Sequence, residues 1–120
     1  WYRELVGAWF LSHPAIQEAK IHVVDRNHPS TKHLGATWTR RDEWYDYRDL
    51  PPADARILLK LDASSYQNHK MGENHPIAWC REVDGGRSFY TGGGHTKESY
   101  AEPAFQQHLL GGILWAMGRG

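Results

Sequence analysis

"PIAWCREVDGGRSFYTG", residues 76–92, is the stretch on which the reading of this chain turns. Two strand-like runs flank Asp84-Gly85-Gly86, and glycine tolerates the positive φ that tight hairpin turns require. The stretch predicts a β-hairpin, with Cys80 in the middle of its first strand. A nucleophilic thiol needs an exposed turn or a helix N-terminus that lowers its pKa, so this position argues against covalent duty for Cys80.

Downstream of the hairpin, "GGGHTK" (92–97) fits neither G-x-G-x-x-G nor G-x-x-x-x-G-K-[ST], which removes the phosphate-cradle reading. The loop does follow the end of a predicted strand, where ligands bind in open α/β sheets, and this makes His95 a candidate. The competing reading is a plain glycine loop with His95 bonded to a backbone carbonyl. Thr96 or Ser99 is placed to cap a short turn. "EPAFQQHLLGGILWAMG" (102–118) predicts the last helix, with Pro103 at its first position and Gly118 beyond its end. Phe105, Leu109, Ile113 and Met117, four apart, mark its apolar stripe. Gly111 and Gly112 inside it cost about 1 kcal/mol each relative to alanine, which close approach to another backbone would offset.

Upstream, "ARILLKLD" (55–62) is a nearly continuous apolar run of strand length, as expected of a strand covered on both faces. "AKIHVVD" predicts a strand over Lys20–Val24, and the apolar spacing of "WYRELVGAWFLSH" a helix over Tyr2–Leu11 that stops before Pro14. Residues 26–35 read as a loop with one helical turn after Pro29, 37–52 as irregular with a short strand or turn, and 64–76 as a polar surface loop. This order predicts the second half of a three-layer α/β domain with a mostly parallel sheet and an antiparallel excursion; two-layer α+β is the alternative. A chain that opens at Trp1 with a helix under way reads as the C-terminal part of a domain.

At 120 residues there is room for one small domain. Fourteen basic and fourteen acidic side chains cancel without blocks of either sign, which argues against nucleic acid or an anionic surface as partner. No apolar run approaches the roughly 18 residues of a membrane span. Cys80 is the only cysteine and forms no internal disulfide, so cysteine usage leaves the compartment undetermined.

"RRDEWYDY" (40–47) sets Asp42 and Glu43 beside Trp44, Tyr45 and Tyr47. Carboxylates next to large aromatic faces suit acid/base work and stacking on a sugar ring. The plainer alternative is a solvated surface beside Arg40 and Arg41, with the aromatics in the core. The eight histidines show no H-E-x-x-H spacing, although a zinc site assembled from separate loops stays open.

Two segments, "WYRELVGAWFLSHPAIQEAKIHVVDRNHPSTKHL" with "DEWYDY", and "HPIAWCREVDGGRSFYTGGGHTKESYAEPAFQQHLLGGILWAMG", resemble the ThuA-like (trehalose-utilisation) family over essentially the whole chain. The resemblance implies a class I glutamine amidotransferase-like fold, a flavodoxin-like three-layer sandwich, of which residues 1–120 would be a part lacking the N-terminal βα units. It places the family's Asp-Glu pair on Asp42 and Glu43, its His-Pro-x-x-Trp on His75, Pro76 and Trp79, and its Gly-His on Gly94 and His95. Glu102 stands where a better helix cap such as Asp is common, and Cys80 does not replace the amidotransferase cysteine, which would lie upstream of Trp1.

The implied function is saccharide utilisation. Glu43 would be the general acid/base and His95 its partner, with Trp44, Tyr45 and Trp79 as a stacking surface and Asp42, His75 and Gly94 lining the pocket. A non-catalytic carbohydrate-binding module and a zinc-dependent hydrolase are the alternatives, and the family points to a periplasmic or secreted setting with a cytoplasmic one open. Without upstream units, "ILLKL" or "IHVV" would become an uncovered apolar edge, which predicts low stability or a homo-oligomer.

Overall fold

The hairpin forms with a shorter turn than three residues. In the computed structural model, which describes residues 10–12, 16–42, 44, 46–47, 51–65, 75–94 and 96–118, Asp84 (φ 51°) and Gly85 (φ 80°) make the turn and Gly86 already belongs to the returning strand. Two consecutive positive φ values match the right-handed twist of the flanking strands.

Numbered along the chain, the strands are β1 (Phe10–Ser12), β2 (Gln17–Val23), β3 (Thr37–Asp42), β4 (Asp46–Tyr47), β5 (Arg56–Leu61), β6 (Pro76–Val83) and β7 (Gly86–Thr91). Two helices follow, α1 (Lys97–Ala101) and α2 (Pro103–Ala116). β1 and β4 pair with each other, and the other five form one sheet in the order β3-β2-β5-β6-β7. Phe10 and Leu11, expected at the end of a helix, are strand; residues 2–9 of that expected helix and 66–74 of the polar loop lie outside the described residues.

Every neighbouring pair in the five-stranded sheet is antiparallel. The α/β class stands, but a mostly parallel, flavodoxin-like sheet does not describe these residues. The reason for the misreading is physical. The buried run of β5 and the five consecutive buried residues Pro76–Cys80 of β6 report cover on both faces, and an interior antiparallel strand under cover gives the same run as a parallel one.

Position within the sheet also corrects the expected exposed edge. β2, which carries "IHV", lies between β3 and β5, and β5 lies between β2 and β6, so both apolar strands are paired on either side. The edges are β3 and β7, and β3 turns Thr39 and Arg41 to solvent, a polar rim that discourages pairing with another chain.

The core joins Ala19, Ile21 and Val23 of β2, Leu58, Leu59 and Leu61 of β5, and Ile77, Ala78 and Cys80 of β6 to Leu34 and Trp44. Helix α2 opens on Pro103 and ends with Met117 as its cap and Gly118 at φ +77°. Its buried residues are Phe105, His108, Gly111 and Gly112, whereas Ile113 and Met117 are more than half exposed. The expected four-residue stripe fails because each step of four overshoots a turn; over three steps it rotates about 120° around the helix and leaves the core. The two glycines do meet a neighbour closely, as their cost required: a Cβ on Gly111 would collide with the Pro29 carbonyl and one on Gly112 with the Phe89 ring. The turn that Gly111 presses against follows Pro29 as expected, with Thr31 and Lys32 N–H groups donating to the His28 carbonyl.

Candidate functional site at the end of strand β3

Alternation along β3 sends Arg40 and Asp42 inward and Arg41 outward. Arg40 and Asp42 are therefore not a solvated surface, whereas Arg41 is: Arg40 is 5% exposed and Asp42 not at all. A buried guanidinium is tolerated only with partners, and Arg40 has hydrogen bonds at Nε and Nη1 and a carboxylate beside Nη2, which itself makes no hydrogen bond. Its Nε donates to Glu102 Oε2 at 2.9 Å, its Nη1 donates to the Gly93 carbonyl, and its Nη2 stands 3.6 Å from Asp42 Oδ2. Its carbon centre lies 4.5 Å from the ring centre of Phe105, 4.8 Å from Trp38 and 5.7 Å from Trp44. Cation and ring faces attract each other most strongly where water is excluded, as here.

Glu102 explains its own departure from the expected cap residue. It occupies the N-cap of α2 but makes no side-chain cap bond. Its carboxylate instead accepts from Arg40 Nε and from the Trp38 indole N–H at 3.0 Å. An aspartate there would have a shorter reach.

Asp42 ties the end of β3 to the segment after the glycine loop. Its Oδ1 accepts the Thr96 N–H at 3.2 Å and its Oδ2 accepts the Ser99 hydroxyl at 2.5 Å. Thr96 is the N-cap of α1, where its Oγ1 accepts the Ser99 N–H at 3.2 Å. Asp42 thus holds the start of that helix with two charge-assisted bonds, each worth more than a neutral one.

The glycines are small because side chains fill the space a Cβ would need. On Gly94 it would lie 2.5 Å from Phe105 Cζ, and on Gly93 2.7 Å from Arg40 Nη1. Neither needs positive φ. The loop is also pinned along its backbone: Gly92 N–H donates to the Ile77 carbonyl at 2.7 Å, Gly93 N–H to Thr91 Oγ1 at 3.3 Å, and Tyr100 Oη to the Gly94 carbonyl at 2.8 Å.

Behind the loop sits His108, which the sequence reading did not single out. It is fully buried, its Nδ1–H donates to the Ser30 carbonyl at 2.9 Å and its Nε2 accepts from Thr91 Oγ1 at 3.0 Å. Burial lowers its pKa from 6.5 to about 4, so the neutral ring that this pattern requires is the stable form. His28 is likewise lowered to about 4, chiefly by burial; its Nδ1 accepts the Ser30 N–H at 3.1 Å.

Of the residues singled out from sequence, Asp42 and Gly94 meet around Arg40, Phe105 and α1. Glu43, Tyr45 and His95 lie outside the described residues. Trp44 has no exposed surface and donates its indole N–H to the Gln17 carbonyl at 2.8 Å. Trp79 is also fully buried, stacked on Tyr90 with ring centres 4.5 Å apart, and His75 is buried with its carbonyl accepting from Leu61 N–H. Cys80 is buried, which pushes its thiol up to about 11 and suits a packing role. Among the described residues no group of three His, Cys, Asp or Glu side chains is arranged to hold a metal, and no helix is long and apolar enough to cross a membrane.

An open cleft of about 300 Å³ lies beside the cluster, lined by Thr39, Arg40, Arg41, Glu98, Ser99 and Glu102.

With an α/β fold, the Asp-Glu strand end and a glycine loop bonded across to it, the relatives fall into place. The family model described as ThuA, trehalose utilisation, matches residues 1–116, and the chain belongs to that family. Its fold is similar to that of a ThuA-like protein from Bacteroides uniformis, with a TM-score of 0.77 at 22% identity over 97% of this chain and 50% of that one. A ThuA-like protein from Parabacteroides merdae is similar with a TM-score of 0.63 at 25% identity, over 94% of this chain and 48% of that one. A β-galactosidase from Bacillus circulans sp. alkalophilus shares the fold at 13% identity and a TM-score of 0.61, over 98% of this chain and 15% of its own. The chain therefore spans about half the length of the two ThuA-like structures. No curated protein matches it.

Two residues that the sequence reading gave no site role, Arg40 and His108, carried a signal. Period-two alternation through Trp38, Arg40 and Asp42 puts all three on one face once β3 is accepted as a strand. Spacing of three between Phe105, His108 and Gly111 would likewise have named the inner face of α2.

Proposed function

We propose that this chain is part of a domain that acts on or binds a saccharide, trehalose or a related glycoside, at the junction of the β3 end and the glycine loop. The observation that carries the reading is the bonding of Asp42 to Thr96 and Ser99. It joins the two family motifs, because Glu43 follows Asp42 and His95 precedes Thr96 in the chain. In this reading Glu43 is the general acid/base, and His95 is its partner base or orients a hydroxyl. Asp42, with both oxygens occupied, positions rather than reacts. Gly94 forms the floor, Tyr45 lends an aromatic face, and Trp44, Trp79 and His75 support the pocket from the interior.

The test uses the full-length parent protein, titrated calorimetrically with a panel of mono- and disaccharides and assayed for turnover. Glu43→Gln is expected to lower turnover by roughly 10²–10⁴-fold with little change in affinity, and His95→Ala to weaken both. Unchanged turnover and binding in both variants would end this reading. A second reading, a non-catalytic accessory module of a larger saccharide-acting protein, is favoured by the recurrence of the fold over 15% of a β-galactosidase chain. It expects saccharide binding that survives His95→Ala, with no turnover to lose.

A further inference from the structure

We infer that Arg40 is a positioning residue that sets the conformation of the Gly92–Gly94 loop, and through it the ligand-facing rim of the site; this rests on the saccharide-pocket reading above. Backbone and hydroxyl bonds from Ile77, Thr91 and Tyr100 also pin the loop, but the Gly93 carbonyl at its centre is held by the guanidinium. Gly93 is held at both ends: its carbonyl accepts from Arg40 Nη1, and its N–H donates to Thr91 Oγ1, which in turn donates to His108 Nε2. A Cβ on Gly93 would fall 2.7 Å from Arg40 Nη1, so loop and guanidinium occupy adjoining space with none to spare.

The guanidinium is itself oriented. Glu102 fixes Nε, Phe105 and Trp38 lie within 5 Å of its centre, and Asp42 stands beside Nη2. Three of these partners also touch the loop's surroundings: Asp42 bonds Thr96 and Ser99, Phe105 limits Gly94, and Glu102 starts α2. Rotation of the planar group by one bond would release the Gly93 carbonyl and the Glu102 pairing together. A lysine ammonium, a point charge without the fork, cannot serve Glu102 and Gly93 in this geometry at once. The arrangement differs from a core ion pair placed for packing, because one of its acceptors is a loop carbonyl, that of Gly93.

The experiment compares the full-length parent with its Arg40→Lys and Glu102→Gln variants by hydrogen–deuterium exchange and by calorimetric titration with the saccharide that the wild type binds. Arg40→Lys is expected to raise exchange at Gly92, Gly93, Thr96 and Ser99 by roughly tenfold or more, while amides of the β6–β7 hairpin stay as protected as before. Saccharide affinity is expected to fall by a similar factor at temperatures where the variant is fully folded. Glu102→Gln, which keeps an acceptor for Trp38 and loses the charge for Arg40, is expected to give a smaller change at the same amides; it decides the matter if Arg40→Lys does not fold. Exchange that rises uniformly over the sheet, or that stays unchanged in the loop, would overturn the inference. If the wild type binds no saccharide, the proposed function fails, and the positioning role is judged on the exchange pattern alone.

Discussion

Glycine is usually explained by backbone freedom, yet at Gly93, Gly94 and Gly111 the constraint is the space beside the Cα. At Gly111 the obstacle is the Pro29–Ser30 backbone, which cannot swing aside as a side-chain end can. In an exposed helix, glycine to alanine stabilises by about 1 kcal/mol. Here the sign reverses: Gly111→Ala is expected to lower the stability of the parent by roughly 1–3 kcal/mol in urea unfolding. Gly94→Ala should lose less, since the obstacles there are the side chains of Phe105 and Tyr100 rather than backbone. A gain for Gly111→Ala would mean that α2 does not sit on the Pro29 turn. Arg40 and Asp42 make the complementary point, that burial decides what a charged side chain does. The sequence left a solvated surface open for them; under cover of Trp38, Phe105 and Trp44 they organise the region.

Among the elements, the β6–β7 hairpin is the most local and the most cleanly foretold. Only Gly85 of its two candidate glycines sits at strongly positive φ, with nothing near its missing Cβ. Gly85→Ala is expected to destabilise by about 1 kcal/mol through strain alone, whereas Gly86→Ala, in ordinary strand conformation and 3.4 Å from the Val83 carbonyl, should have little effect. Equal effects in thermal melts would place the turn one residue later. Strand direction was not local in this way. The continuous run of β5 and the mixed composition of β3 say how much of each strand is covered, and neither says which way its neighbour runs. Helix α2 gave its ends away through Pro103 and Gly118 but hid its inner face, because that face is made of an aromatic, a histidine and two glycines.

Taken together, the molecule joins its helix and sheet through two buried neutral histidines. His108 bonds Ser30 and Thr91, with the Arg40 charge nearby. His28 bonds Ser30 and lies among Phe89, Trp115, Arg56 and Asp25. Both have folded pKa values near 4 against an ordinary 6.5, so on acidification the unfolded chain takes up protons before the folded one. Stability is then complete above about pH 6.5 and falls as the pH drops toward 4. Melting temperature is expected to decline between pH 6.5 and 5, above the range where ordinary carboxylates titrate. His108→Gln should flatten that decline while lowering the melting temperature at neutral pH. A wild-type profile that is flat over this window would show that the two rings are not buried as described.

Local chemistry was enough to establish the hairpin, the ends of α2, a cap at Thr96 or Ser99, strands β2 and β5, and the ThuA family itself. Each depends on neighbours in the chain, or on motif residues whose spacing is written in the sequence. The antiparallel sheet order, the inward turn of Arg40 and Asp42, the diversion of Glu102 from its cap, and the bonds that make His108 a strut between α2 and the glycine loop all arise across long sequence separations. Arg40 meets Glu102 and Gly93 more than fifty residues away, and no local periodicity encodes a partner at that distance. Burial then turns those encounters into structure, because a charge or imidazole removed from water must find its partners within the fold.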